Sequence, residues 1–466
     1  MKNVFNEVST LDKKCYEKFM LSEDLLMEHA ALALKNEIEN ILNHYDSTIL
    51  IICGVGNNGA DGITLARLLQ NKYKNIILYL PFGVKSNMAK LQLQRDNTLG
   101  IKEVNSIKDL QNVDLIVDCL FGSGLNKPLN EDAKQIISNL NEINSYKIAC
   151  DVPSGINNNG YVYDVAFKAD VTITMGAAKL SLLTDIAKEY IGKLKIADLG
   201  ISSFMYENKT NNYLLEQKDL VLPLRNQKDS HKGTYGHACI IVGSKKGAGI
   251  LASDAAFNFG AGLVTALVHE EIQMPYYLMQ SHKVPDNATA IAIGMGLGIY
   301  DKNEIKKILD LNIKKVVDAD LFYDELILDY LDKNVVLTPH PKEFCSLLKL
   351  SNIANIDVNK LQEDRFKYVK EFSNKYPDVT LLLKGANVII SHNNEIYINT
   401  LGTSVLSKGG SGDILSGLIV SLLAQGYTCL NSAINASLAH TISAKKYNYN
   451  NYSLTPNDLI KGIKNI

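Results

Sequence analysis

The chain has 466 residues, of which 46% are hydrophobic and 21% charged, with a formal net charge of -2. At ~150 residues per domain, this length predicts two or three domains. The charge balance gives no reason to expect a nucleic-acid or membrane partner, and a mean hydropathy of -0.03 with no apolar run of ~18 residues argues against a transmembrane helix. Met1–Lys14 lacks the apolar stretch of a signal peptide, and the seven cysteines form no CxxC pair. Reduced, buried thiols in a cytoplasmic protein are therefore expected. The nine histidines show no metal-ligand spacing to those cysteines, so no zinc site is expected.

Short β-rich apolar runs alternate with longer helical patterns along the whole chain. In the first half the strand candidates are Thr48–Cys53, Asn75–Leu80, Leu115–Cys119, Lys147–Cys150 and Val171–Met175. The polar stretch Ser202–Asn212 reads as a linker and sets a boundary near residue 213, giving domains 1–212 and 213–466. In the second half the candidates are Cys239–Val242, Leu263–Val268, Thr289–Ile293, Lys315–Asp318, Val335–Leu337 and Thr380–Leu383. Such runs, bounded by Gly or Pro and separated by helices, predict parallel sheets covered on both faces. Val358, Leu361, Val369 and Phe372 recur near the 3.6-residue period and predict a helix over Val358–Phe372. Asn393–Asn394 stands between two β-rich runs and predicts a hairpin, hence an antiparallel element in the second sheet. Ile414–Gly426 reads as a buried helix. The fold class is α/β throughout.

Ile49–Gly62 joins a strand, a glycine turn and a helix start. Gly54, Gly56 and Gly59 meet the G-x-G-x-x-G spacing, which lets a pyrophosphate approach backbone N–H groups at a helix N-terminus. A nicotinamide-dependent dehydrogenase also needs an acid closing the second strand. Here that strand runs into Leu78-Tyr-Leu-Pro-Phe-Gly83, with no acid. A simple capped turn explains the glycines but not Asn57, Asn58 and Asp61 standing together. Asp118 and Asp151 each close another apolar strand, where open α/β sheets gather their ligands. Alone, either reads as a cap or a turn residue.

Taken together, Gly56-Asn-Asn-Gly-Ala-Asp-Gly62, Asp118-Cys-Leu-Phe-Gly-Ser-Gly-Leu125 and Asp151-Val-Pro-Ser-Gly-Ile156 resemble the signature segments of NAD(P)H-hydrate epimerases. Leu25–Ala31, Ile173–Leu183 and Ile196–Ser202 extend the resemblance over about residues 10–202. It implies a Rossmann-like parallel-sheet domain whose substrate is a hydrated nicotinamide cofactor. It also implies a potassium ion held by Asn58, Asp118 and Ser154, hard oxygen donors suited to a hard cation. The substrate would be lined by Asn57, Asn58, Gly59, Ala60 and Asp61, and by Gly122, Ser123, Gly124, Leu125, Asn126, Lys127 and Pro128. Asp151 would be the acid/base near the C6 hydroxyl whose configuration is exchanged. One departure is Ala60, where the family usually has glycine.

A second glycine cluster, Gly409-Gly-Ser-Gly-Asp413, precedes the predicted buried helix. Its N–H groups suit a transferring phosphoryl group, and Asp413 stands where it could take a proton from an attacking hydroxyl. The same pattern also occurs as a turn with a capping Asp. No GxxxxGK[ST] is present, so this is not a P-loop enzyme. His231-Lys-Gly, Gly260-Ala-Gly-Leu-Val, Gly294-Met-Gly-Leu-Gly, Val317-Asp-Ala-Asp, Thr338-Pro-His-Pro-Lys-Glu and Lys384-Gly-Ala share this half. In this order they resemble the ribokinase-like, ADP-dependent NAD(P)H-hydrate dehydratases over about residues 220–466. The resemblance implies Asp413 as catalytic base and Gly410, Ser411 and Gly412 as anion hole. Ala248, Gly298, His340 and Asp413 would contact the hydrated cofactor. Lys384, Gly385, Ala386, Asn387 and Val388, with Gly412, would contact the adenine nucleotide. Departures are Met295, where the family usually has proline, and Gly249 within Lys245–Ala252. His231 and His237 are expected as polar surface.

The two resemblances together imply a bifunctional repair enzyme that exchanges R and S forms of NAD(P)H hydrate and dehydrates the S form at the expense of ADP. Expected ligands are NADH hydrate, NADPH hydrate, ADP and AMP, with K+ in the first domain and Mg2+ accompanying ADP in the second. A homo-oligomer is expected. The alternative is a ribokinase-like small-molecule or vitamin kinase fused to a non-catalytic nucleotide-binding domain. The Thr338–Glu343 and His231–Gly233 strings argue against it.

Overall fold

The computed structural model describes residues 1–107, 110 and 112–466. The chain forms two compact units, Asn3–Thr210 and Asn211–Ile466, the latter joined by Met1–Lys2.

The first unit is built on seven parallel strands: β1 Thr48–Cys53, β2 Asn75–Tyr79, β3 Lys102–Val104, β4 Leu115–Cys119, β5 Tyr146–Cys150, β6 Val171–Met175 and β7 Lys193–Ala197. Their order across the sheet is β3-β2-β1-β4-β5-β6-β7. The two strand faces explain why the apolar runs are continuous rather than alternating. Ile49, Ile51 and Cys53 pack with helices α1 Ser9–Phe19, α2 Glu23–Ile41 and α3 Asn57–Leu69. Leu50 and Ile52 pack on the opposite face with Ile137 and Leu140 of α4 Glu131–Glu142. Each such fully buried side chain contributes about 1.5–3 kcal/mol. The direction of winding reverses between β1 and β4, which opens a crevice at their carboxyl ends.

Asp96 lies in this unit, on the helix Asn87–Leu99, buried with neither carboxyl oxygen hydrogen-bonded among the described residues. Burial pushes its pKa up to about 7, against a small opposing pull from Arg67. A carboxyl whose folded pKa is raised stabilises fully below the unfolded value and loses that contribution as pH rises through about 7. Asp96→Asn is therefore expected to stabilise the first unit by about 1–3 kcal/mol at pH 8 and by clearly less at pH 5. Thermal melts at the two pH values measure it.

The polar stretch expected as a linker is partly packed. Ser203–Tyr206 forms a helical turn, and the buried Tyr206 donates its hydroxyl to Asp12 Oδ1 at 2.7 Å. The stretch then ends in β8 Asn212–Leu214, which pairs in the second unit. One aromatic anchor outweighs the surrounding polarity.

The second unit continues with β9 His237–Ile241, β10 Leu263–Leu267, β11 Met279–Ser281, β12 Ala290–Ile293, β13 Lys314–Val317, β14 Val335–Leu337, β15 Thr380–Leu383, β16 Val388–His392 and β17 Glu395–Asn399. Their order is β11-β10-β9-β12-β13-β14-β15-β16-β17-β8. Pairing is parallel except for β15–β16 and β16–β17. The antiparallel hairpin turns at Asn393 and Asn394, with φ of 49° and 62°, a left-handed pair that asparagine tolerates. The helix expected over Val358–Phe372 is two helices, α5 Val358–Glu363 and α6 Arg365–Lys375. Asp364 interrupts it: its backbone leaves the helical region, with φ -156° and ψ 71°, and its side chain caps Lys367 N–H. The glycine-led helix α7 Ser411–Ala424 is buried at every position from Ile414 onward and packs between α8 Lys246–Asn258 and α9 Cys429–Lys445.

His237 is not surface. It opens β9 buried, with Nδ1 2.9 Å from Asn287 Oδ1 and Nε2 2.7 Å from Thr265 Oγ1. Two polar partners offset the cost of burying the ring. His231 is exposed and accepts the Gly233 N–H. All seven cysteines are buried and unpaired. Among the described residues, no helix is long and apolar enough to cross a membrane.

Candidate active sites

Each unit holds its own cluster at the carboxyl ends of its parallel strands. In the first, the crevice between β1 and β4 is a cavity of about 770 Å³. Asn57, Asn58 and Asp61 reach it from the first turns of α3, and Gly122, Ser123, Gly124, Leu125, Asn126, Lys127 and Pro128 reach it from the loop after β4. Asp151 lines it from the end of β5. Gly59 and Ala60 do not line it. A Cβ on Gly59 would lie 1.9 Å from Gly54 O, so two backbones touch there, and Ala60 is buried in the core.

Asp151 is held in an unusual backbone conformation, φ +65°, which costs of order 1–3 kcal/mol for a non-glycine residue. Its carboxylate repays that strain. Oδ1 meets Lys179 Nζ at 2.5 Å, Thr174 Oγ1 at 3.2 Å and Met175 N–H at 3.2 Å, while Oδ2 accepts Ser123 N–H at 3.2 Å. Lys179 is completely buried. Burial raises the Asp151 pKa, but the Lys179 ammonium and the backbone donors outweigh it and hold the carboxyl below its ordinary value. Asp61 behaves oppositely: burial, then Asp151, Asp12 and Glu23, push it well above its ordinary value. Lys179 and Asp12 went unassigned in the sequence. The only signal for Lys179 was a lone charge inside an apolar run, Ala177–Leu183.

Beneath the cavity, Asp118 and Ser154 are buried and joined: Ser154 Oγ donates to Asp118 Oδ1 and Ser154 N–H to Asp118 Oδ2, both at 2.7 Å. Burial pushes Asp118 up to about 6 even with these donors and Leu120 N–H. Asn58 lies alongside, facing Gly122, its carboxamide oxygen and nitrogen both buried with no hydrogen-bond partner among the described residues. A buried amide oxygen left unpaired beside an under-compensated carboxylate is what a monovalent cation would satisfy. The donor set fits potassium.

In the second unit the strands β9, β12, β13, β14 and β15 deliver Ser244, Gly294–Gly298, Asp318, His340 and Lys384 to one end of the sheet. Asp318 Oδ1 meets Lys384 Nζ at 2.8 Å, and Asp318 Oδ2 accepts Ser416 Oγ–H at 2.7 Å. A Cβ on Gly412 would sit 3.5 Å from Lys384 Nζ, so the ammonium stands over the first turn of α7. Gly410 caps that helix at φ 90°, a conformation glycine adopts without strain. His440 of α9, buried, faces Ser411 O at 3.0 Å and Ser411 Oγ at 3.2 Å, and steadies the turn. Asp413 is pushed up by burial and then by Asp318, with Lys384 pulling the other way. Asp318 was visible in the sequence as a motif but received no role.

His340 starts the helix Pro341–Leu350 as its cap: Nδ1 accepts Lys342 and Glu343 N–H, and Nε2 is 3.1 Å from Glu343 Oε1. Its ring remains exposed, beside Lys384, whose N–H bonds Pro339 O. Ala248 meets Gly296 across another edge, and Gly298 faces Ser244 instead. Ser244 N–H bonds Leu297 O and Lys245 N–H bonds Gly296 O, and a Cβ on Gly296 would lie 3.2 Å from Ala248 Cβ. Asn387 and Val388 are buried, whereas Gly385 and Ala386 are exposed.

Each unit matches a known family. Residues 23–181 match the family described as YjeF-related protein N-terminus, and residues 238–465 match NAD(P)H-hydrate dehydratase. The bifunctional NAD(P)H-hydrate repair enzyme of Helicobacter pylori is 44% identical over 474 residues, covering 100% of both chains. This chain belongs to the family of bifunctional NAD(P)H-hydrate repair enzymes. The Escherichia coli repair enzyme is 32% identical, covering 85% of this chain and 80% of that one. A solved ADP/ATP-dependent NAD(P)H-hydrate dehydratase from Bacillus subtilis is 24% identical with a TM-score of 0.44, covering 53% of this chain and 94% of its own. Within this repair-enzyme chain the departures from the usual motifs have local packing. Met295 is wholly buried in the core, and Gly249 lies where a Cβ would press Val242 at 2.8 Å.

Proposed function

We propose that the unit Asn3–Thr210 exchanges the R and S forms of NAD(P)H hydrate, and that the unit Asn211–Ile466 dehydrates the S form with ADP, giving NAD(P)H, AMP and phosphate. The observation supporting this most strongly is the meeting of Asp413, Lys384 and the glycine-led start of α7 at one point. Helix N–H groups and an ammonium suit a phosphoryl group, and a carboxylate with raised proton affinity suits an attacking hydroxyl.

Hydroxide leaves the nicotinamide ring poorly. Asp413 takes the proton of the C6 hydroxyl, whose oxygen attacks the β-phosphorus of ADP and releases AMP. Phosphate then leaves C6, a proton leaves C5, and the ring double bond returns. Gly410, Ser411 and Gly412 stabilise the charge on the phosphoryl oxygens, Lys384 assists through its ammonium, and Lys384 to Val388 meet the nucleotide. Ala248, Gly298 and His340 hold the hydrated cofactor. Mg2+ accompanying ADP would screen its phosphates.

In the first unit, Asp151 acts as acid/base at C6. Lys85 and Lys127 put two cations on the cavity wall for the cofactor's phosphates. Asn58, Asp118 and Ser154 would hold potassium, which would supply positive charge to the substrate-lining loop Phe121–Pro128. Epimerisation is therefore expected to run about tenfold faster in potassium than in sodium, a difference that Asp118→Asn abolishes. Initial rates on the R form in the two salts check it.

A further inference from the structure

We infer that Asp61 is a second catalytic acid/base of the epimerase cavity, giving and taking protons at the C6 oxygen on the ring face turned from Asp151. The inference rests on the assignment of Asp151 above.

The carboxyls at this cavity differ in what they are bonded to. Asp151 is fixed by Lys179 and backbone N–H groups. Asp12 accepts the Tyr206 hydroxyl, and Glu23 accepts the Asn57 amide. Asp61 alone lines the cavity with no N–H or O–H partner: among the described residues, its one contact is the Cys150 thiol at 4.0 Å. It projects from α3, whereas Asp151 projects from the end of β5, so the two line the cavity from different elements.

The titratable groups around Asp61 leave its proton in place. Asp151, Asp12 and Glu23 act on it from β5, α1 and α2, all as carboxyls, and the thiols of Cys53, Cys119 and Cys150 back it from β1, β4 and β5. Tyr16 of α1 also feels its charge. Burial adds to these, so Asp61 keeps a proton under conditions in which Asp151 has lost one. Two carboxyls driven apart in this way divide acid and base work between them.

The exchange then balances. The C6–O bond breaks with its electron pair going to oxygen, which takes the Asp61 proton and leaves as water. The N1 lone pair forms C6=N1+. A second water adds to the opposite ring face, its oxygen supplying the new C6–O pair while its proton passes to the Asp151 carboxylate, and N1 recovers its lone pair. One water leaves and one enters. From the other epimer the same steps run backwards, and proton exchange with solvent resets the pair.

The test is the kinetics of the full chain on R-NADH hydrate with excess ADP, S-form dehydration serving as internal control. Asp61→Asn is expected to lower kcat for the R form about 100-fold with KM within about threefold, and to remove the alkaline limb of the pH profile. Asp61→Glu is expected to recover at least about a tenth of the rate and the limb. An Asp61→Asn enzyme within about twofold of the parent, an unchanged alkaline limb, or a Glu variant no better than Asn would each overturn the proposal. Asp151→Asn separates the two readings: it should be inactive on the R form, and if it is fully active the underlying Asp151 assignment fails instead.

Discussion

Asp413→Ala is expected to lower dehydration of S-NADH hydrate by about 10³-fold while leaving R-to-S exchange intact. The size follows from what the side chain is asked to do. A ring hydroxyl is a weak nucleophile until its proton is removed, and general-base assistance contributes about 10²–10⁴-fold. Asp413 is suited to the task because burial, and then Asp318, raise its affinity for a proton. Lys384 opposes this but does not reverse it. The base must be ionised to act, so the parent enzyme should lose dehydratase activity on acidification, with an acid limb above the ordinary carboxylate value. Asp413→Asn should remove both the rate and the limb. Steady-state rates across pH, with the S form and ADP saturating, measure both. The two clusters lie in separate compact units, so exchange of the epimers should continue in the same sample.

Lys179→Met is the second change with a large expected effect. It leaves the Asp151 carboxylate buried, in a left-handed backbone, without the cation that stands 2.5 Å from it. Removing one partner of a buried ion pair costs about 3–5 kcal/mol, because the other charge stays buried and uncompensated. The pH sign follows from the direction of the Asp151 shift. A carboxyl whose folded pKa is lowered stabilises above the unfolded value and loses that contribution as pH falls through the folded one. In Lys179→Met the shift reverses, so the variant should be least stable at neutral pH and recover toward acid. Asp151→Asn added to Lys179→Met should restore about half or more of the lost stability without restoring exchange. Denaturant melts of the single and double variants at two pH values decide it. Equal stability of Lys179→Met and the parent at pH 7 would contradict the ion-pair account.

The fold was largely legible because the parallel strands are buried on both faces and so appear as uninterrupted apolar runs. Thr48–Cys53, Leu115–Cys119 and Val171–Met175 are strands with those bounds. Short strands such as Lys102–Val104 and Met279–Ser281 hold three residues each, too few for a periodic signal. The break at Asp364 was missed because apolar spacing continues across it, and a capping side chain is seen only once the backbone turns. His237 was misread for a related reason: burial of a histidine depends on partners from other strands, Thr265 and Asn287, which sequence proximity does not reveal. In the same way, the resemblance of whole motifs to a known family singled out Asp118, Asp151, Ser154 and Asp413. It left out Lys179, Asp318 and His440, whose roles arise from side chains meeting across distant segments.

The central claim is that this chain returns damaged cofactor to use. The direct measurement is the NADH absorbance recovered when the full chain is given a mixture of R and S NADH hydrate with ADP. Recovery should be complete in the parent, should stop when the S form is exhausted in Asp151→Ala, and should release AMP and phosphate in step with NADH. A parent enzyme that restores no absorbance, or that accumulates a stable phosphorylated hydrate as a small-molecule kinase would, contradicts it.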